Sequence, residues 1–416
     1  MRIIFILFLL SGFSSKAQDI KVGLYLDTLC SPYMAGRAYV DSGHNRAAEF
    51  IAQAFKEIGL SPIKDSYFQK FSIDVNTFPG ELTIKMKGRD FEEGKDFVPK
   101  PFSGSGKKSR KIVRLDTLIF SDSTAAKNFL KLKLNNKVLV YSKDDYSKLT
   151  EFPYEYIEKA FSSIATIELK EKLTASFSQK QYSGVSLEML DSQFDDEAKR
   201  LKYEVQAEFR ENLITQNVIG ILPSKNKSDQ YILITAHYDH LGKMDQAYFT
   251  GANDNASGIA MILDLARNFV ESGNDLSYNL MFVAFGAEEV GLLGSEYFVK
   301  NPPVSLNNIR FVLNLDLMGN GEKGITVVNG KVFEKEMAVL DSINSAHNYL
   351  PLVKKRGKAA NSDHYHFSER AVPAFFIYTM GGKPWYHDIY DRPEELTLAK
   401  YNELIALFKD FFKMLD

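Results

Sequence analysis

Five short stretches in the second half of this sequence set histidines or acids directly after apolar runs or among small residues. His237 and Asp239 leave the run 231–236 two residues apart, so both can face one side of an extended chain. A histidine that binds a metal usually gives its other ring nitrogen to a carboxylate. His237 is therefore the candidate ligand and Asp239 the acid that orients it. Asp254 lies in the small-residue loop Gly-Ala-Asn-Asp-Asn-Ala-Ser-Gly, 251–258, where a carboxylate could give one oxygen to each of two cations. Glu288 and Glu289 follow an apolar run side by side. In the chemical reading Glu289 binds metal and Glu288 stays free to take a proton from water. Asp316 sits in the apolar run 311–317, where an unpaired charge would be costly and a cation would be a suitable partner. His387 completes the set.

Each residue also has a bland explanation: a turn histidine, an N-cap aspartate, a helix first turn rich in glutamate, a buried ion pair, a solvated loop histidine. Together they offer two histidines and three carboxylates for a pair of divalent ions. Mixed nitrogen and oxygen donors with no cysteine among them favour zinc, with manganese or cobalt as substitutes. Two such ions sharing a carboxylate make hydroxide available near neutral pH.

The elements that must carry these residues read as an α/β domain. Runs at 218–222, 231–236, 280–285, 311–317 and 374–378 are continuously apolar, as strands covered on both faces are. Helical stretches are expected at 258–270, 294–299, 332–348 and 394–415, and earlier at 44–58, where Gly59 stops the pattern. Strands alternating with helices imply a sheet sandwiched between helices, with its ligand site at the carboxyl ends of the strands. Between 75 and 210 short β-rich runs alternate with loops, and no dense cluster of histidine and acid is present.

The first residues read as a secretory signal. Arg2 precedes the apolar run 3–10, which is too short to span a bilayer, and Ser15-Lys16-Ala17 offers a cleavage site before Gln18. Export to the periplasm or medium is expected, without a stable membrane anchor. With 51 basic and 53 acidic residues the net charge is −2, which gives nucleic acid no electrostatic handle. The single cysteine, Cys30, can form no intramolecular disulfide and reads as a core residue. Gly106-Lys107-Lys108-Ser109 looks like the end of a phosphate loop, but Pro101 stands where its first glycine should be.

The motifs in register resemble those of the co-catalytic zinc exopeptidases that include bacterial leucyl aminopeptidases and glutamate carboxypeptidase. His-x-Asp at 237–239, Asp-Asn-Ala-Ser-Gly at 254–258, Glu-Glu-x-Gly-Leu-x-Gly-Ser at 288–295, Asp316 and the late His387 arrive in that family's order. The resemblance runs from Gln216 to the C-terminus and takes in the early helix. It implies a three-layer αβα sandwich with a mixed central sheet. One zinc would lie on His237 and Asp316, the other on Glu289 and His387, with Asp254 bridging and Glu288 as general base. Asn253 departs from a common aspartate without touching a ligand. Tyr386 matches a tyrosine that hydrogen-bonds the tetrahedral intermediate in the carboxypeptidase branch. Residues 75–210 would be a protease-associated insertion serving substrate access or homodimer contacts. The implied organisation is a signal at 1–17, catalytic segments at 18–74 and 211–416, and the insertion between them. Ser362-Asp363-His364 is similar to a segment lining the family's substrate side, while His44, His240 and His347 have no motif.

The implied activity is that of an exported zinc-dependent aminopeptidase acting on peptides through a metal-bridging hydroxide. A carboxypeptidase would instead need a cation for the substrate carboxylate, which Lys354-Lys355-Arg356 could supply. A glutaminyl cyclase would hold a single zinc, and a binding module that had lost catalysis would have lost ligands.

Overall fold

The computed structural model describes residues 21–415; the expected signal and its cleavage site lie outside them. Among the described residues no helix is long and apolar enough to cross a membrane.

The architecture is α/β. The larger sheet has nine strands. Its centre is the parallel set Asn279–Phe285, Tyr231–His237, Ile309–Leu315 and Ala374–Met380, flanked by antiparallel Glu208–Leu222 on one side and Gly324–Val328 on the other. The period of two sends alternate side chains to opposite faces. Ile232, Ile234, Leu280 and Phe282 pack with helices Gly43–Ile58, Ser257–Ser272, Glu334–His347 and Tyr401–Met414. Leu233, Met281 and Val283 pack under Leu293–Lys300 and His364–Ser368 through Phe298 and Phe367. The result is three layers with a mixed sheet in the middle.

Two of the expected elements differ. The final helix starts at Tyr401 rather than 394: Pro393–Glu395 is a 3-10 turn, and Leu396 and Leu398 reach the core from the irregular chain after it. The run at 311–317 ends as a strand at Leu315, so Asp316 stands just past the strand, at the mouth of the sheet. The short strands Gly324–Val328 and Val353–Lys355 extend the sheet where no strand was expected.

A second sheet of eight strands spans Leu82 to Val205 and carries three helices, Ser123–Lys131, Lys143–Glu151 and Tyr154–Phe161. Its centre is parallel, Gly106–Arg114, Lys137–Ser142, Ala165–Lys170 and Val185–Leu190 in order. The chain leaves and re-enters the larger sheet through Phe68–Thr77 and Glu208–Leu222, which pair antiparallel along their length.

Candidate metal centre

Because the four central strands are parallel, their carboxyl ends open on one edge, and the loops that follow meet there. His237 is the last residue of its strand, Glu288 and Glu289 follow Phe285, Asp316 follows Leu315, and His387 lies beyond Met380. Asp254 belongs to the turn that begins helix Ser257–Ser272.

The structure gathers all of these side chains. Asp254 lies between the two histidines: Oδ1 is 3.3 Å from His237 Nε2, and Oδ2 is 3.2 Å from His387 Nε2. Asp316 Oδ2 approaches His237 Nε2 at 3.4 Å, and Glu289 Oε2 approaches His387 Nε2 at 3.1 Å. Donor atoms of His237, Asp254 and Glu289 lie within 4.8 Å of one another, as do those of His237, Glu288 and Asp316.

Both histidines are presented in the same way. His237 Nδ1 is 3.1 Å from the Asp239 carbonyl and His387 Nδ1 is 2.9 Å from the Ala175 carbonyl. A carbonyl only accepts, so each Nδ1 carries the proton and each Nε2 faces the acids.

Asp239 does not have the role expected of it. Its carboxylate is 4.0 Å from His237 Nδ1, and its own backbone carbonyl takes that hydrogen bond. The carboxylate instead accepts the amides of Glu288 and Glu289, at 3.1 and 3.3 Å, and the Tyr39 hydroxyl at 3.1 Å. It thus holds the paired glutamates through their backbone. Burial raises its pKa to about 6, against the pull of His237.

The loop around Asp254 is fixed from several sides. Asp391 accepts the Asn253 and Asp254 amides at 2.8 and 2.9 Å. The Asn255 side chain donates to the Leu315 carbonyl at 3.0 Å and accepts the Gly258 amide at 2.9 Å. Ser257 Oγ donates to the Asn253 carbonyl at 2.7 Å and accepts the Met318 amide at 2.8 Å. Gly258 is required by close approach, since a Cβ there would stand 2.7 Å from the Leu315 carbonyl oxygen. The Asp254–Asn255 peptide is cis.

Electrostatics bear on what the cluster could hold. Burial opposes charge on the Asp254 carboxyl, yet its bonds to His237 and His387 hold it well below the carboxylate range. Burial likewise opposes charge on Glu289, but His387 and His240 hold it at about 2. Burial disfavours imidazolium, yet Glu288 and Asp316 keep His237 protonated, and Glu289 and Asp254 keep His387 protonated, far above the usual value. The cluster thus sets positive imidazoles against buried carboxylates, a place that a cation would fill as well. Asp316 Oδ1 is buried with no hydrogen-bond partner among the described residues. A donor set of carboxylate oxygens and imidazole nitrogens with an orphaned oxygen fits divalent cations. Glu288 is set apart: burial, then the like charges of Asp363, Glu289 and Asp316, raise it well above the carboxylate range against the pull of His237. A carboxyl so raised is a stronger base once ionised than an ordinary carboxylate.

A cleft of 220 Å³ opens onto His237, Asp254, Glu288, Asp316 and His387, walled also by Arg356, Asn361, Phe376 and Tyr378. Tyr386, 46% exposed, lines it and stacks on His387 with ring centroids 4.0 Å apart. The 362–364 segment is not on this wall. Ser362 Oγ donates to Asp316 Oδ2 at 3.2 Å from behind, and Asp363 and His364 are fully buried.

Several residues of the site were given no part in it from the sequence, His240 among them. His240 is buried with Nδ1 2.8 Å from Glu289 Oε1, and its place three residues after His237 was the available signal. Asp391 stands four residues after His387. Arg37 gave no signal: fully buried, it donates to the carbonyls of Tyr238, Thr250 and Gly251 at 2.8, 2.7 and 2.7 Å, lashing two of the site loops together.

Residues 217–411 match the model of Peptidase family M28. Over this segment the chain is similar to that family. It is 31% identical over 207 residues to Aminopeptidase YwaD of Bacillus subtilis, covering 46% of this chain and 43% of that protein. It is 29% identical over 171 residues to a probable leucine aminopeptidase of Trichophyton verrucosum, covering 39% and 45%. The chain thus spans about half the length of the curated relatives it matches. Among solved structures, a zinc aminopeptidase from Bacillus subtilis superposes with a TM-score of 0.70 at 20% identity, covering 94% of each chain. A Peptidase M28 precursor from Shewanella amazonensis gives 0.70 at 16%, covering 97% of each. The chain therefore shares the fold of these structures over nearly its whole length.

Proposed function

We propose that this protein is a zinc-dependent exopeptidase of the M28 kind, an aminopeptidase, that removes N-terminal residues from peptides. The observation that carries the proposal is Asp254, whose two oxygens face two different histidines, His237 and His387. His237 and Asp316 would hold one zinc, Glu289 and His387 the other, and Asp254 would bridge them. Such a pair supplies Lewis-acid polarisation of a carbonyl and a water that ionises near neutral pH. Glu288, raised by burial, would take the proton of the attacking water and return it to the leaving amine. Tyr386, on the cleft wall beside His387, would donate to the oxyanion. The names of the M28 relatives support both zinc and the aminopeptidase direction.

One observation favours the opposite direction. Arg356 reaches the cleft wall, where its Nη1 donates to the Tyr378 hydroxyl at 3.1 Å. A guanidinium there would hold a free carboxylate, as a glutamate carboxypeptidase-like enzyme needs. Export remains part of the proposal on the strength of the leader at 1–17.

The test is a zinc count with a substrate panel of aminoacyl arylamides and N-blocked dipeptides. Two zinc ions with hydrolysis of the arylamides is the expected result. Hydrolysis of only the N-blocked dipeptides would reverse the direction. One tight zinc with pyroglutamate formation would replace the peptidase by a glutaminyl cyclase.

A further inference from the structure

The ring of His387 is aimed by a residue that belongs to the other sheet. Ala175 lies in the segment 171–184, which joins strands Ala165–Lys170 and Val185–Leu190 of the second sheet and has no regular secondary structure. Ala175 and His387 exchange two bonds. The Ala175 amide donates to the His387 carbonyl at 3.0 Å, and His387 Nδ1 donates to the Ala175 carbonyl at 2.9 Å. Lys172 secures the same loop, donating to the Pro384 carbonyl at 2.8 Å and pairing with Asp388 at 3.3 Å.

The segment continues across the paired glutamates. Phe177 packs against Tyr39 with centroids 5.3 Å apart, and Tyr39 holds Asp239. Gln179 Nε2 donates to the Val290 carbonyl at 2.9 Å, one residue past Glu289. Its far end is anchored where Ser178 accepts the Asn76 amide and Gln181 donates to the Asn76 side chain, at 2.8 and 2.7 Å.

His387 itself has φ of +54°, a conformation that a non-glycine residue keeps only when its surroundings impose it. The catalytic half alone contributes no partner to its Nδ1 among the described residues; the second sheet does.

We infer that the segment 171–184 is a positioning element for the His387 half of the metal site, with the Ala175 carbonyl setting the imidazole and Lys172 holding the loop that carries it. This rests on the dinuclear reading above. It gives the second sheet a direct part in cation binding: the His237 half can form without it, and the His387 half cannot.

The experiment uses the full chain and reads metal rather than activity. Zinc affinities of the two sites are measured by competition with a graded chelator, and cobalt absorption reports the geometry at each. Wild type is compared with K172M, K172R and H387Q. Lys172 is half exposed, so its removal leaves the core intact, and thermal melting checks this. The expected result is that K172M loosens, by about tenfold, the same ion that H387Q loses, while the other ion keeps its affinity and K172R restores wild type. Unchanged binding of both ions in K172M would overturn the inference, and so would equal loosening of both. Fewer than two ions in wild type would sink the dinuclear reading itself, and this inference with it.

Discussion

The Asp391 carboxylate holds the backbone of Asp254, taking its amide on Oδ2 at 2.9 Å and the preceding amide on Oδ1. Burial pushes Asp391 up to about 6, against the bonds from those amides. Asn at 391 would turn one acceptor into a donor facing an N–H. D391N should therefore lose about 1–3 kcal/mol of stability, read by denaturant melts. It should also weaken zinc binding through misplacement of Asp254. A variant with wild-type zinc affinity would show that the Asp254 loop holds its shape unaided.

Glu288 touches the cleft but is not needed to fill either ion's donor set in the proposed assignment. E288Q should keep both zinc ions and the wild-type melting temperature while turnover falls about a hundredfold or more. Loss of an ion together with activity would make Glu288 a ligand, and full activity would remove it from the reaction.

Arg356 separates recognition from chemistry. In R356M the KM for substrates with a free carboxylate near the scissile bond should rise by about tenfold or more, as expected on losing a charge-assisted pair. Aminoacyl arylamides, which lack that carboxylate, should keep their KM. An equal change for both classes would assign Arg356 to the wall, acting through Tyr378.

Acid sensitivity should come partly from histidines that are not among the proposed metal ligands. Burial lowers His364 to about 4, against the pull of the Ser362 and Ala359 carbonyls, and burial also lowers His44. In the unfolded chain His364 titrates near 6.5. The unfolded state therefore binds this proton first as pH falls. The contribution of His364 is complete above pH 6.5, erodes below it, and is lost below about pH 4, for about 3 kcal/mol in all. H364Q should show a shallower fall in unfolding free energy between pH 7 and 5 than wild type. Parallel curves for the two proteins would sink this attribution.

The central strands were legible because burial on both faces writes a continuous apolar run, as in 280–285. Val353–Lys355 was not, because an edge strand of three residues with two exposed lysines reads as a solvated basic run. The final helix was read too long because Leu396 and Leu398 keep an apolar spacing while reaching the core from irregular chain. At the site, residues released by strand ends could be picked out by local spacing. Their supports could not. The amides that engage Asp239 come from 49 and 50 residues later, and the carbonyl behind His387 comes from 212 residues earlier. No window on the sequence contains both members of such a pair.

The antiparallel pair Phe68–Thr77 and Glu208–Leu222 has a consequence for how the protein is made. Gln69 and its partner Asn217 are 148 residues apart. At ribosomal speeds the first strand waits about 7–30 s before the second emerges. During that time its buried Phe71, Ile73 and Val75 have no sheet to cover them, although the intervening sheet already has most of its core, all but Leu241, Met244, Ala247 and Phe249. Synthesis thus favours completing the inner unit first, and the nascent N-terminal strand is the stretch where a holding chaperone would act.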